Sequence, residues 1–378
     1  RKWLDNNFYV GTFSLNYDNN QTSAVFGGSH STYNGDHFGN LIWAQYASNA
    51  APNHRFYENN ADKKDFNLYT KVTQRLGTAW TVYADVQFRT IAYNSIGTVK
   101  GPEPIAIDDT LSFFNPKAGI TYRASEVSRL YLSYAKAQRE PNRSDYENGA
   151  PKPESLNDFE AGWRFKKEKV QLQANLYYMD YENQLVLTGA LDAVGEPIRT
   201  NSGDSYRFGL EIEAAIQFAE QWVWQPNLAL SSNKNKDFYF KRDGQLQNLG
   251  TTNISYSPNV VGASNLVFAP STVFRVALLS KYVGEQFMGN IDADLSKLEA
   301  YFTNDINISY VWTPNSWIKE AQFSLLVNNI FNELYTSNGF FYTFDDDYSV
   351  PGVVTTIEGV GYYPQAGNNF LMGATFRF

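Results

Sequence analysis

Hydrophobic and polar residues alternate one by one through run after run of this chain, the last being Asn368–Phe378. There Phe370, Met372, Ala374, Phe376 and Phe378 share one face, and Leu371, Gly373, Thr375 and Arg377 the other. A period of two means a β-strand lying between two different environments. Ten or eleven residues is also what a tilted strand needs to cross a bilayer. The pattern recurs upstream: Val82, Ala84, Val86 and Phe88 oppose Asp85, Gln87 and Arg89. Val170, Leu172, Ala174, Leu176 and Tyr178 oppose Gln171, Gln173 and Asn175, and Phe208, Leu210, Ile212 and Ala214 oppose Arg207, Glu211 and Glu213. Three ionisable groups on one inner face would be costly in a packed sandwich core, whereas a wet or plugged lumen tolerates them.

The runs read as strands over Asn7–Tyr17, Thr22–Ser31, Lys64–Leu76, Trp80–Tyr93, Phe113–Tyr122, Ser128–Gln138, Leu156–Phe165 and Lys169–Tyr181. They continue over Tyr206–Phe218, Trp222–Ser232, Ser257–Phe268, Val273–Val283, Tyr301–Val311, Ala321–Asn328 and the closing run. Gly, Pro, Asn and Asp mark nearly every break. Connections alternate short and long, with long ones at about 32–63, 96–111 and 329–367. Tight turns on one side and long loops on the other are how outer-membrane barrels are built. The pattern therefore predicts an all-β fold, a transmembrane antiparallel β-barrel with about fifteen strands present. A soluble sandwich or solenoid would show strands of about five or six residues and no such alternation.

Composition sharpens this. Tyr, Phe and Trp make up 16% of 378 residues, and their amphipathic rings suit a membrane–water boundary. No apolar run is long enough for a membrane helix. There is no cysteine, which excludes disulfides and thiol chemistry, and the net charge of −8 with no basic block excludes nucleic acid as a partner. Arg1–Asp5 lacks the apolar core of a secretory signal, so the chain is either mature or begins inside a longer protein.

Fifteen strands are an odd number, and bacterial single-chain barrels have even ones. An open edge in lipid would leave backbone groups unpaired. The count thus points to the C-terminal part of a larger barrel. Four stretches carry a resemblance. Phe114–Gly119 reads FNPKAG, and Lys152–Leu156 reads KPESL with Glu160 and Gly162 following. Tyr206–Glu213 reads YRFGLEIE, and Val327–Tyr335 reads VNNIFNELY. In this order and spacing they resemble the C-terminal barrel of TonB-dependent outer-membrane receptors along the whole chain. The resemblance implies about 22 strands around a plug, with the plug and roughly seven strands absent from residues 1–378. It further implies residence in the outer membrane of a Gram-negative bacterium and active uptake of a scarce, iron-siderophore-like nutrient. The energy would come from the TonB–ExbB–ExbD complex through the plug, with lipopolysaccharide and a surface lipoprotein as further partners. Two alternatives stay open: a passive porin-like channel, which usually has an inward-folded constriction loop, and a structural barrel subunit of an outer-membrane complex such as a glycan importer.

Candidate chemistry is sparse. The histidines, His30, His37 and His54, lie in or beside the first long loop, where a haem or metal site is conceivable but the spacing is irregular. Where the family's haem receptors carry an FRAP segment, this chain reads Ala137-Gln138-Arg139-Glu140-Pro141-Asn142, which argues against haem. Asp345, Asp346 and Asp347 with Glu358 could hold Ca²⁺ but lack the order of an EF-hand loop. Phe340, Phe341, Tyr342, Phe344 and Tyr348, with Arg139, are the candidate ligand contacts; the competing reading puts the aromatics in a membrane girdle. No enzyme constellation is present, because every histidine falls in one region, and no cofactor is expected.

Overall fold

A computed structural model describes residues 1–46, 51, 53–99, 103–191, 197–201, 203–314 and 317–378. One antiparallel sheet dominates, and its strands follow one another in chain order. Its path runs β1 (Lys2–Asp18), β2 (Thr22–Leu41), β3 (His54–Leu76), β4 (Trp80–Val99), β5 (Glu103–Arg123), β6 (Ser128–Arg139), β7 (Glu154–Lys167) and β8 (Val170–Glu182). It continues through β9 (Ser205–Ala219), β10 (Trp222–Asn235), β11 (Val260–Phe268), β12 (Phe274–Val283), β13 (Tyr301–Trp312), β14 (Glu320–Asn328) and β15 (Asn369–Arg377). The fifteen expected strands are these. Consecutive hairpins and period-two faces make the wall of a transmembrane β-barrel. Among the described residues the ladder runs from β1 to β15 and no pairing joins those two.

The faces follow the alternation. Phe66, Val86, Phe88, Phe114, Leu132, Phe159, Leu176 and Phe208 stand exposed on the outer side. Aromatic rings gather there at the short-turn end. Trp80 lies on Tyr122 at 4.4 Å, Trp222 lies between Phe218 and Phe268 at 6.1 and 4.6 Å, and Trp317 stacks on the terminal Phe378 at 5.0 Å. Phe88 sits eight residues up β4 from Trp80, about 26 Å along the strand. Tilt reduces that to roughly the height of a barrel's apolar band, so the two levels mark the two interfaces.

On the lumenal side, tyrosines lie flat over glycines directly opposite them. The pairs are Tyr69 over Gly27, Tyr83 over Gly119, Tyr131 over Gly162 and Tyr177 over Gly209. Only a residue without a Cβ leaves room for the ring. At Gly162 the added carbon would overlap the Tyr131 ring, whose hydroxyl donates to Asn175 Oδ1 at 2.8 Å and whose face carries Arg164 at 4.9 Å. Gly162→Ala is therefore expected to swing Tyr131 away at a cost of about 1–3 kcal/mol. Denaturant unfolding of the refolded protein in detergent checks this; an unchanged midpoint would contradict it.

The structure corrects the reading of the first two long loops. Residues 32–41 and 54–63 extend β2 and β3, and 96–99 and 103–112 extend β4 and β5. At about 3.3 Å per residue these strands of twenty residues or more reach about 65 Å, well past the bilayer. What holds them together above it is a second layer. The chain after β6 folds inward as a strap, Glu140–Pro151, over the lumenal face of β2–β5. It contains a five-residue helix, α1 (Arg143–Glu147), closed by a capping box between Asn142 and Asp145. Beneath it Val99, Ile105 and Ile107 form a small core against Tyr93 and Tyr146. Pro116 makes room for the departure. The β5–β6 ladder begins only at Lys117↔Ala135, and Gln138 Oε1 accepts the Phe114 N–H at 3.2 Å.

Candidate ligand-binding mouth

The long-loop end carries two built regions. One is a four-stranded loop sheet, in the order 197–201, 185–191, 336–346, 355–364, separate from the wall. It is tied down from both sides. Arg242 donates to Glu358 at 2.6 Å, Lys241 lies 3.4 Å from Asp345, and the backbones of Asp243 and Thr356 exchange hydrogen bonds with each other's side chains. Val186, Phe238 and Phe240 pack beneath with Leu249 and Ile291. Buried Asn290 joins the layers, accepting from Ser255 N–H and donating to the Leu187 carbonyl.

The hairpin of 336–346 and 355–364 separates its candidates by face. Phe340, Tyr342 and Phe344 stand on one side, stacked in sequence at 6.2 and 6.5 Å, with Tyr363 against Phe340 at 5.9 Å. Gly361 and Gly359 lie opposite Phe340 and Tyr342, and Ile357 opposite Phe344. The glycines let the rings lie down, leaving a flat apolar ladder with Phe340, Phe344, Ile357 and Tyr363 open to solvent. Phe341 points the other way, into Gly289 and the loop sheet. Tyr348 is exposed at the hairpin tip, its N–H donating to Asp346. The ladder belongs to a loop sheet and not to the wall, so the girdle reading does not hold for it. Behind the hairpin lies a cleft of about 660 Å³ lined by Asp294, Lys297, Glu299, Tyr335, Tyr362 and Gln365.

The motif Asn329–Tyr335 explains how the hairpin is launched. Asn329 and Asn332 adopt left-handed backbone conformations, which asparagine tolerates better than most residues. The buried Asn329 side chain accepts the Glu333 N–H at 2.9 Å and donates to the Glu333 carbonyl at 2.8 Å. Asn332 Oδ1 receives the Asn368 N–H, closing the loop at the start of β15, and Tyr335 stacks on Tyr301 at 4.3 Å. Asn329→Ala is expected to cost about 1–3 kcal/mol by orphaning those groups, visible as faster hydrogen exchange across residues 329–335; unchanged exchange would contradict it.

The second region is the strap and the charges that seat it. Arg89 on β4 makes paired hydrogen bonds to Asp65 at 2.6 and 3.2 Å and to Glu140 at 3.0 Å, and Lys63 adds a contact to Glu140 at 3.2 Å. Burial works to raise the Glu140 carboxyl, but its own backbone N–H, Arg89 and Lys63 outweigh that and hold it below its ordinary range. Tyr146 donates to Asp109 at 2.7 Å; burial first, then Asp109, push its phenol well above the usual value. Arg143 reaches His37, Asn59 and Glu147.

The remaining sequence candidates disperse. His37 is on the lumenal face of β2, His30 on its outer face, and His54 opens β3 at the far tip opposite Leu41. They sit in strands, not a loop, because the extended ladder absorbs 32–41 and 54–63. Among the described residues no group of three or more His, Asp or Glu side chains gathers into a metal site. Asp345 and Glu358 instead meet Lys241 and Arg242, Asp346 caps the turn to Ser349, and Asp347 is exposed. Arg139 pairs with Glu154 at 3.0 Å across the end of β6 and β7, with its head half exposed. Arg89, Asp65, Glu140 and Arg143 were missed as a unit. The inward positions of Arg89 and Asp65 were readable from the alternation, but Glu140 and Arg143 fall in a loop, Glu140 lies 51 residues from Arg89, and no local spacing announces that pairing.

Comparison with known proteins agrees with the architecture. A family model described as "TonB dependent receptor-like, beta-barrel" matches residues 2–330. The catecholate siderophore receptor Fiu of Escherichia coli (strain K12) is 22% identical over 305 residues, 75% of this chain and 35% of the relative. The crystal structure of that ferric-catecholate import receptor in its closed form superposes with a TM-score of 0.67 at 17% identity, over 99% of this chain and 55% of that one. The siderophore receptor PiuA from Acinetobacter baumannii gives 0.69 at 13% identity, over 100% and 56%, and the copper transporter OprC gives 0.70 at 14%, over 99% and 56%. The chain thus spans about a third of the curated relative and about half of the structures it matches.

Proposed function

The chain belongs to the TonB dependent receptor-like β-barrel family, and from that premise we propose that it is the C-terminal part of an active outer-membrane importer for a metal chelate. In this reading sequence outside residues 1–378 supplies the plug and the strands that pair with β1 and β15, since lipid permits no unpaired sheet edge. The short turns face the periplasm of a Gram-negative cell, and the long loops face outward above the lipopolysaccharide leaflet. TonB with ExbB and ExbD acts on the plug and opens a path along the lumenal wall.

The observation that carries the ligand assignment is the ladder of Phe340, Tyr342 and Phe344 with Tyr363. Flat rings held open to solvent on a braced hairpin fit the aryl groups of a siderophore-like chelate, each stacked ring adding about 0.5–1.5 kcal/mol. The named functions of Fiu and PiuA are in accord with that class. The strap folds inward as the constriction loop of a passive channel would, but the match to TonB-dependent receptors does not favour that alternative. Mass spectrometry of ligand co-purified with the full-length receptor from iron-limited cells tests the assignment. An aryl iron chelate is expected; recovery of sugars alone would overturn it.

A further inference from the structure

The strap is held at two points of different chemistry. Glu140 is clamped by Arg89 and Lys63 through ion pairs at 3.0 and 3.2 Å. Three residues on, Arg143 Nη1 approaches His37 Nδ1 at 2.6 Å, while His37 Nε2 lies 2.7 Å from the Tyr33 hydroxyl. Arginine only donates, so Nδ1 must accept. That fixes His37 as neutral imidazole with its proton on Nε2, donated to Tyr33. A second proton would have to sit on Nδ1, between the ring and a guanidinium, and would set two cations face to face. The contact therefore exists in one protonation state only.

We infer that His37 and Arg143 form a proton-sensitive latch, which holds helix α1 over the lumenal wall when His37 is neutral and frees it when His37 is protonated, the strap pivoting about Glu140. On β2 the neighbours are Tyr33 and Asp36; β3 presents Asn59 opposite His37; β1 presents Leu4; the strap presents Arg143, itself paired with Glu147 at 2.9 Å. Asp36 is the nearby carboxylate that favours the charged ring. Burial and then Arg143 outweigh it and hold His37 below its ordinary value. The sign follows. A histidine whose pKa is lower latched than unlatched binds fewer protons latched, so the latch is fully present above the unlatched value of about 6.5. It weakens as pH falls through that value towards the latched one. Glu140, held below the ordinary carboxylate range, stays ionised through this window, so the pivot survives where the latch fails.

This inference is independent of which ligand the barrel takes. Residues 1–378 contain no cysteine, so nitroxide labels can be placed by Ser144→Cys on the strap and Lys64→Cys on β3 of the full-length receptor, with any cysteine outside these residues replaced by serine. Pulsed electron resonance is expected to show a narrow distance distribution at about pH 7.5 and a second, broad population at about pH 5. The broad population gains up to about tenfold for each unit separating the two pKa values. His37→Gln keeps an acceptor for Arg143 and a donor for Tyr33 but cannot titrate, and should give the narrow distribution at both pH values. His37→Lys should give the broad one at both. Identical wild-type distributions at the two pH values, or the same acid broadening in His37→Gln, would overturn the latch.

Discussion

Replacing Arg89 by methionine is expected to unseat the strap while the ladder of the wall stays intact. Among the described residues the guanidinium is the only cation bridging Asp65 and Glu140, and its removal leaves two carboxylates facing each other with Lys63 beside them. Breaking a fully buried ion pair costs about 3–5 kcal/mol. Here Arg89 is 27% exposed and its partners 22% and 19%, so water screens part of the loss and roughly 2–3 kcal/mol is the expected cost. That corresponds to about a 30-fold or greater rise in hydrogen exchange across residues 140–151. Exchange in the β6–β7 ladder should stay close to wild type. Adding Glu140→Gln should recover part of the loss, because one of the two unmatched charges is gone. A strap whose protection does not change in Arg89→Met would show that the apolar core of Val99, Ile105 and Ile107 seats it without the charges.

The second large effect is on ligand affinity. Phe340, Tyr342 and Phe344 are expected to act together, since each ring rests on the next and Gly359 and Gly361 offer no replacement surface. At about 1 kcal/mol per ring beyond simple area, the triple substitution to serine should weaken binding by about 3 kcal/mol, roughly a hundredfold. Phe341→Ser is the informative control. Its side chain faces Gly289 and the interior of the loop sheet, so it should lower the stability of the loop sheet and leave the ladder's chemistry alone. Tryptophan-fluorescence titration of the full-length receptor with a ferric tris-catecholate complex separates these outcomes. Equal affinity in the triple variant and wild type would remove the ladder from the binding site.

Much of the wall was legible because a strand in lipid declares itself twice, by a period of two and by turn residues at both ends. Thr22, Trp80, Trp222 and Tyr301 begin strands where the pattern places them. Ends at the long-loop side were less legible. In His54–Lys63 polar residues dominate both faces, and in Glu103–Ser112 the inward Ile105 and Ile107 stand among Glu103, Pro104, Asp108 and Asp109, so both segments read as loop. What keeps them extended lies far away in sequence, as Tyr146 covering Ile105 and Ile107 shows. The hairpin at 336–364 escaped for a related reason: Phe340, Phe341 and Tyr342 are apolar on both faces, which masks the alternation. The aromatic candidates gather on one hairpin, but only the cross-strand register divides Phe340, Tyr342 and Phe344 from Phe341. For the acidic run, the decisive partners Lys241 and Arg242 come from another loop altogether.

Energised import through a ligand site at the long-loop end of the wall is the role we propose for this barrel. Uptake of a radioiron-labelled catecholate complex tests it most directly. Cells carrying the full-length receptor as their sole receptor for that complex would be compared with and without functional TonB. Uptake that requires TonB and falls sharply in the Phe340, Tyr342, Phe344 triple variant is the expected result. Uptake that proceeds equally without TonB would contradict it and make the barrel a passive channel.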